Sequence, residues 1–239
     1  IQSKILLIFT FIIAVMSGDI VYNLTVLRKR TPSRQGAVSD LDLRSHSVSH
    51  VLLMSMTPVG RKLFSASITW PVIGIKRTLL LLGLHQPWWN SLDKYKLVLG
   101  ALPLPNDIET LIKKHHVTAV VNTCAEFSGY STRYAKHNII QHYLPIVDAC
   151  APSVDALKKA TAFIHQHVST DESRCVYIHC RAGRGRSVTV VLAYLMEYHG
   201  LTREQAQLYV NANRSVSKNV YQRPIIVEYE KYLKSQTIK

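Results

Sequence analysis

From residue 86 onward the apolar positions follow two alternating patterns. Short β-branched or apolar runs predict buried strands at Lys96–Leu99, Val117–Val121, Ile139–Ile146 and Cys175–His179. Apolar residues at helical spacing predict helices at Asp107–His115, Ser153–Val168, Ser187–His199, Thr202–Asn213 and Pro224–Leu233. Strands that alternate with helices predict an α/β fold with a central, mostly parallel sheet of about four to five strands, flanked by helices.

Local signals place several ends of these elements. Gly100 ends the first predicted strand, and Asp107 is a candidate cap of the helix that follows it. Thr202 and Gln205 form a capping-box pattern, while Gly200 ends the preceding helix. We therefore expect a compact domain over residues 86–236, long enough to bury its own core.

Residues 1–85 have a different pattern, and we expect a basic targeting or membrane-proximal segment that is partly disordered. Ile5 to Met16 is apolar except for Thr10, which is short for a membrane span and suits a signal-peptide core or, extended through Val21, a marginal anchor. Residues 28–50 are rich in Arg and Ser and are interpreted as linker or targeting sequence.

Charge sharpens this picture. The chain has 239 residues and a net charge of +14, and its first 85 residues hold ten lysines and arginines against three acidic residues. No acidic residue occurs from Leu43 to Leu92, and an acid-free amphipathic stretch is typical of organelle transit peptides. If translation starts at Met54 or Met56, Thr57–Leu84 becomes a mitochondrial presequence or a membrane-facing arm.

Composition also excludes several classes. A basic surface attracts nucleic acid, anionic lipid or phosphorylated substrates. The chain has no paired Cys/His finger and no aromatic RNA-binding signature, so no nucleic-acid partner is expected. Four cysteines are too few for a disulfide scaffold, and no His, Asp and Glu cluster has metal-ligand spacing, so we expect neither a metal nor a cofactor.

The segment His179–Ser187, with the sequence HCRAGRGRS, carries the candidate chemistry. It lies between a predicted strand and a predicted helix, where successive backbone N–H groups and a helix N-terminus converge on one point. This arrangement binds a phosphate dianion and stabilises a thiolate, so Cys180 should have a lowered pKa. Arg186 is placed to hold two phosphate oxygens, and Ser187 to donate to the sulfur.

The rest of the segment fits the same interpretation. Glycines permit a sharp turn and close backbone approach, and no lysine stands where a nucleotide-binding loop needs one. The expected phosphate-binding residues are Arg181, Ala182, Gly183, Arg184, Gly185 and Arg186. The alternative, a structural cysteine beside a basic loop, is disfavoured because three arginines in eight residues make a poor core. We expect in-line attack by Cys180, a cysteinyl-phosphate intermediate and its hydrolysis.

The His-Cys-x5-Arg-Ser pattern resembles the cysteine-dependent, dual-specificity-type protein tyrosine phosphatase superfamily. The order of four further segments resembles its mitochondrial protein tyrosine phosphatase-like branch, which dephosphorylates phosphatidylglycerophosphate in cardiolipin synthesis. The segments are Trp88–Asp93, Leu99–Pro103, Val120–Asn122 and Leu144–Asp148. The resemblance covers about residues 88–233.

The resemblance implies a general acid, an Asp on a mobile loop upstream of the nucleophile. Asp148 lies 32 residues before Cys180, after a predicted strand, and is the expected acid. Asp155 is the rival, but it falls in the first turn of a predicted helix, where an acidic residue stabilises the helix dipole.

Residues around the loop bear on the substrate. Arg181 and Arg184 match basic loop positions of lipid phosphatases that resemble phosphatase and tensin homologue, and extra cations favour multiply charged membrane substrates. Glu126 corresponds to a substrate-lining glutamate of the mitochondrial branch, although Asn122–Glu126 looks more like the tensin-homologue branch. Glu126 and His179 are expected to support the site. Cys124 either forms a protective disulfide with Cys180 on oxidation or is a small half-buried residue.

The leading hypothesis is a phosphatase of phosphatidylglycerophosphate or a phosphoinositide at an anionic membrane surface. The alternatives are a dual-specificity phosphoprotein phosphatase and a phosphate-binding module without turnover. An organelle address is favoured over secretion, because the reaction needs a free thiolate. The expected location is mitochondrial and membrane-associated, and the alternative is another organelle or an endomembrane reached through the N-terminal apolar segment. No feature of the sequence indicates an oligomeric state.

Overall fold

The structure is a computed structural model that describes residues 56–171 and 173–237. The chain divides into two compact units, Ile1–His85 and Gln86–Lys239. The predicted signal-like stretch Ile5–Met16 and the predicted linker 28–50 lie outside the described residues.

In the first unit, helix α1 spans Pro58–Leu81. The Thr57 hydroxyl caps it by accepting a hydrogen bond from the Gly60 N–H at 3.2 Å. Four large apolar side chains of α1 are exposed, and their spacing places them on one stripe: Val59, Leu63, Trp70 and Leu81. None of the helices in the described residues is both long and apolar enough to cross a membrane.

The second unit contains a five-stranded sheet. The strands are β1 (Trp89–Leu92), β2 (Leu97–Gly100), β3 (Val117–Cys124), β4 (Ile140–Ile146) and β5 (Cys175–His179). The helices are α2 (Asp107–His115), α3 (Ser131–Lys136), α4 (Val154–Thr170), α5 (Arg186–His199), α6 (Arg203–Asn213) and α7 (Pro224–Thr237). Short 3₁₀ turns occur at Asp93–Tyr95 and Val220–Gln222.

The strand order is β1-β2-β5-β3-β4, with β1 antiparallel at one edge and the other pairs parallel. The predicted fold class is confirmed. The carboxyl ends of the four parallel strands therefore meet at one edge of the sheet, where ligand sites of α/β folds form.

Apolar side chains fill both faces of the sheet. Helices α4 to α7 pack on one face, and α2 and α3 pack on the other. Strand β5 is central, and α5, which follows it, is buried from Arg186 to Met196. The loop between β5 and α5 is thus held at both ends by the best-packed elements of the domain.

Among the strands and α-helices of the second unit, β1 and α3 were not predicted, and helix α1 of the first unit was not predicted either. Strand β1 carries polar Asn90 and Ser91, and α3 has six residues, so neither has a clear apolar period. The predicted cap at Asp107 was wrong: Asn106 occupies the N-cap position, and the Asp107 carboxylate instead accepts a hydrogen bond from the Leu104 N–H at 2.6 Å. The capping box of Thr202 and Gln205 is confirmed.

Candidate active site

The loop 180–185 joins β5 to α5 at the carboxyl edge of the sheet. Gly183 has a φ of 66°, and a Cβ there would lie 2.4 Å from the Gly100 carbonyl carbon. Only glycine satisfies both conditions, because other residues are strained at positive φ and carry a Cβ. The Leu102 N–H donates to the Arg181 carbonyl at 3.3 Å, so the loop also lies against the end of β2.

The Cys180 thiol lies at the centre of this loop and is 3% exposed. Its Sγ accepts hydrogen bonds from the Gly183 N–H at 3.2 Å and the Ser187 hydroxyl at 3.4 Å. Burial alone would raise the pKa of Cys180, but Arg186, the Ser187 side chain and backbone N–H groups lower it to about 7. A substantial fraction of Cys180 is therefore thiolate at neutral pH.

Arg186 begins α5, and its guanidinium is buried against Glu126. Nη1 donates to Oε2 and Nη2 to Oε1 of Glu126, both at 2.7 Å, and Nη1 also donates to the Ile146 carbonyl at 2.9 Å. The two side chains are 5% and 1% exposed. Nε–H and a second N–H of Nη2 do not take part in this bracing, and together they form the fork that a phosphate needs; in this structure Nε faces Asp148 at 3.5 Å.

A turn after β3 positions Glu126. The Asn122 side chain donates to the Phe127 carbonyl at 2.8 Å and accepts from the Cys124 N–H at 2.9 Å. These bonds satisfy a fully buried amide and close residues 122–127 into a compact loop. The Glu126 carboxylate consequently faces Arg186 rather than solvent.

Asp148 follows β4 and faces the same loop. Its Oδ2 lies 2.5 Å from Arg181 Nη2, and its Oδ1 lies 3.5 Å from Arg186 Nε. Burial would raise the pKa of Asp148, but Arg186, Arg181 and the Ala149 N–H lower it below its usual value. Asp148 is thus ionised and paired with two arginines.

Asp155, the rival acid, lies in the first turn of α4 and forms an ion pair with Lys159 at 2.8 Å. It is highly exposed, as expected of a helix-dipole position. Across residues 56–171 and 173–237, no group of three or more His, Cys, Asp or Glu side chains could hold a metal ion.

His179 and Cys124 are both buried. Burial lowers the pKa of His179 to about 3, so its ring is neutral, and it stacks on Tyr177 with the ring centroids 5.4 Å apart. Cys124 ends β3, next to β5, and burial raises the pKa of its thiol well above the usual value. Both Cys124 and Cys180 are free thiols.

The match to a known family agrees with this geometry. Residues 103–232 match the family described as dual specificity phosphatase, catalytic domain. The chain belongs to this family.

Named relatives of this dual-specificity phosphatase come from plants and mammals. It is 36% identical over 130 residues to phosphatidylglycerophosphate phosphatase PTPMT1 of Arabidopsis thaliana, covering 53% of this chain and 37% of that protein. It is 32% identical to Arabidopsis PTPMT2, covering 72% and 73%, and 30% identical to human phosphatidylglycerophosphatase and protein-tyrosine phosphatase 1, covering 65% and 79%. The chain thus spans about a third of the first relative and about three-quarters of the others.

Solved structures agree with these relatives. A crystal structure of PTPMT1 has a TM-score of 0.57 and 29% identity, covering 63% of this chain and 99% of that one. A second PTPMT1 structure, in complex with PI(5)P, has a TM-score of 0.56 and 27% identity, covering 63% and 99%.

The structure brings the sequence-predicted residues together around one point, and it adds two arginines that the phosphatase sequence did not single out. Buried Arg214 donates to the carbonyls of Gly183 at 3.0 Å, Ala182 at 3.4 Å and Pro87 at 2.8 Å. Burial lowers its pKa to about 10, which leaves it charged at neutral pH. It turns two loop carbonyls outward, so that the N–H groups face inward.

Arg223 is the second addition. Its Nη1 donates to the Thr189 hydroxyl at 3.1 Å. A Cβ at position 185 would lie 3.0 Å from Arg223 Nη2, so the guanidinium lies close beside Gly185. It contributes a positive charge behind the loop. Both arginines follow the loop by about 30 residues or more and lie in segments without a motif, so only long-range packing identifies them.

Proposed function

We propose that this protein is a cysteine-dependent phosphomonoester hydrolase whose substrate is an anionic phospholipid, either phosphatidylglycerophosphate or a phosphoinositide. The observation that carries the proposal is the lowered pKa of Cys180 inside a loop whose N–H groups and Arg186 converge on the sulfur. A buried thiolate is stable only with hydrogen-bond donors around it. The same donors bind a phosphate dianion in the position where the sulfur can attack it.

In the proposed reaction the substrate phosphoryl group binds to the N–H groups of loop 180–185 and to the two remaining donors of Arg186. The Cys180 thiolate attacks phosphorus in line with the leaving oxygen, forming the S–P bond as the P–O bond breaks. Asp148, once protonated, gives its proton to the leaving oxygen. Water then hydrolyses the cysteinyl phosphate and releases inorganic phosphate.

The lipid assignment is supported by charge and by the relatives. Arg181 and Arg184 lie in the loop and Arg223 lies close to it, so the site carries positive charge beyond Arg186, which favours multiply charged headgroups. The proteins of similar sequence from Arabidopsis and human are named phosphatidylglycerophosphate phosphatases, and the similar PTPMT1 structure holds PI(5)P.

We further propose that the first unit directs the protein to mitochondria and to an anionic membrane surface. Helix α1 combines an exposed apolar stripe with Arg61, Lys62, Lys76 and Arg77, and no acidic residue occurs from 43 to 92. Such helices bind anionic interfaces through apolar burial and electrostatic attraction. A fluorescent protein carrying residues 1–85 should accumulate at mitochondria; a uniform cellular distribution would contradict the assignment.

The activity is tested by phosphate release from the purified chain, with Cys180→Ser as the control. Substrates are phosphatidylglycerophosphate in anionic vesicles, a phosphoinositide panel and a phosphotyrosine peptide. Preference for one lipid, absent in the variant, is the expected result. Preference for the peptide would make it a phosphoprotein phosphatase. Binding without release would make it a phosphate-binding module.

A further inference from the structure

Arg181 joins two parts of the site that act at different moments of the reaction. It belongs to the phosphate-binding loop, yet its Nη2 lies 2.5 Å from Asp148 Oδ2. The two side chains are 15% and 24% exposed, so solvent screens the pair only partly. The cation nearest the proposed acid is therefore a loop residue.

The guanidinium of Arg181 also has capacity for a second partner. Within the described part of the chain, its Nη1 is buried and has no hydrogen-bond acceptor. A buried donor without an acceptor is unfavourable, and native sites usually supply one. An anionic oxygen entering beside the loop would satisfy it.

The pairing conflicts with the proposed role of Asp148. A general acid must carry a proton, but Asp148 is faced by Arg186, Arg181, Arg223 and the Ala149 N–H, all of which favour its ionised form. Binding of the phosphoryl group engages Arg186 but leaves the shorter contact, to Arg181, in place. Arg186 lowers the pKa of Asp148 more than Arg181 does, but full release of the carboxylate requires that Arg181 also leave it.

We propose that Arg181 is a substrate-operated latch, which holds Asp148 in the free enzyme and moves to a second anionic group of the substrate. The inference rests on the proposed function and narrows its substrate class. The preferred substrate carries, near the scissile phosphomonoester, a second anion such as the phosphodiester of a phospholipid headgroup.

The latch couples recognition to proton transfer. When the second anion takes Arg181, the Asp148 carboxylate loses its closest cation and takes up a proton from solvent. Cys180 then attacks phosphorus, the P–O bond breaks, and the leaving oxygen receives that proton. A substrate with one anionic group leaves Arg181 on Asp148, so its leaving oxygen departs without an acid.

Two substrates with the same leaving group test this. Glycerol 3-phosphate has one anionic group, whereas dioctanoyl phosphatidylglycerophosphate adds a phosphodiester; both release a primary glycerol oxygen. Phosphate release by the full chain would be compared for wild type, Arg181→Met and Arg184→Met. Arg184→Met is the matched variant, because it removes the same charge from the loop and leaves the Arg181–Asp148 pair intact.

Arg181→Met should have opposite effects on the two substrates. We expect kcat/KM to fall about tenfold or more for the lipid and to rise severalfold for glycerol 3-phosphate. Arg184→Met should lower kcat/KM for the lipid and should not raise kcat/KM for glycerol 3-phosphate. The double variant Arg181→Met with Asp148→Asn should lose the gain, since no acid remains to be released.

The pH profile gives a second readout. The reaction needs protonated Asp148 and ionised Cys180, but Asp148 has the lower pKa of the two. The profile of kcat/KM for glycerol 3-phosphate should therefore be bell-shaped, with its acidic limb at the pKa of Asp148 and its basic limb at the pKa of Cys180. Removing Arg181 raises the pKa of Asp148, so the acidic limb should move to higher pH, while the basic limb should stay in place.

Equal losses on both substrates, with an unmoved acidic limb, would overturn the latch and leave Arg181 as an ordinary phosphate ligand. Failure of the proposed function is a separate result, because it is seen in wild type as preference for the phosphotyrosine peptide. In that case the rate with glycerol 3-phosphate and the position of the acidic limb still decide whether Arg181 restrains Asp148.

Discussion

Residues 180–185, here called the cysteine loop, lie beside residues 148–153, here called the acid loop after the proposed role of Asp148. The two loops are held in different ways. Residues 180–185 are fixed by backbone contacts with Gly100 and Leu102, by Arg214 on two carbonyls and by a buried helix that follows directly. The segment from Asp148 to Ser153 contains no buried residue, and the Asp148 side chain is held by charge pairs.

This difference matches what each loop is proposed to do. Stabilising a thiolate and a phosphate requires donors that are fixed before the substrate arrives. Delivering a proton requires a group that changes partner and protonation state, and charge pairs rearrange more readily than a packed backbone. We therefore expect the cysteine loop to be disturbed most by loss of the contacts that hold its backbone. We expect the acid loop to be disturbed most by removal of a charged side chain.

Replacing the proposed general acid should have the largest effect. Asp148→Asn removes the proton donor, so we expect kcat for an alkyl phosphate to fall about 10²- to 10⁴-fold, while an aryl phosphate with a good leaving group changes little. Steady-state phosphate release measures both. The matched variant is Asp155→Asn, which should behave as wild type; a large loss there would exchange the two assignments.

Removing the support of the cysteine loop should come next. Arg214→Met leaves loop carbonyls unpaired, so we expect the free energy of unfolding to fall by about 2–4 kcal/mol and kcat to fall for both alkyl and aryl phosphates. Denaturant unfolding and aryl phosphate turnover measure the two effects. Arg133→Met, on an exposed position of α3, is the control. Loss of stability with unchanged turnover would show that Arg214 does not shape the loop.

A smaller effect is expected from the hydrogen bond of Ser187 to the sulfur. Only the thiolate reacts, so aryl phosphate kcat/KM should rise with pH through about 7, the pKa of Cys180. Ser187→Ala removes a donor to the thiolate and raises that pKa, so the acidic limb should move to higher pH. At pH 6 the rate should fall about threefold to tenfold. An unmoved limb would mean that the hydroxyl does not stabilise the thiolate.

The smallest effect concerns strain in the acid loop. Ala149 follows Asp148 with a φ of 62°, a conformation that is unfavourable for alanine. Ala149→Gly should raise the free energy of unfolding by about 0.5–1 kcal/mol, although the greater freedom of glycine in the unfolded chain offsets part of the gain. Thermal unfolding measures it. Ala151→Gly, in the same loop, should lower the free energy of unfolding. If both variants change the free energy of unfolding equally, Ala149 is not strained.

The strands, most helices and the loop itself were predictable because their signals are local. Apolar periodicity identifies elements within about ten residues. The HCRAGRGRS segment contains both the proposed nucleophile and the residues expected to donate hydrogen bonds to the phosphate. Strand β1 and helix α3 escaped because the first is a polar edge strand and the second is too short for a period.

What the sequence alone determined was the fold class, the family, and the positions of Cys180, Arg186 and Asp148 as candidates for the chemistry. Only the tertiary structure decided that Glu126 braces Arg186, that Arg214 holds the loop from 31 residues away, and that Arg181 pairs with Asp148. These contacts depend on the order β2-β5-β3-β4, which brings the carboxyl ends of four strands together. Local signals specify an element, but the neighbours of its end are set by how the whole sheet packs.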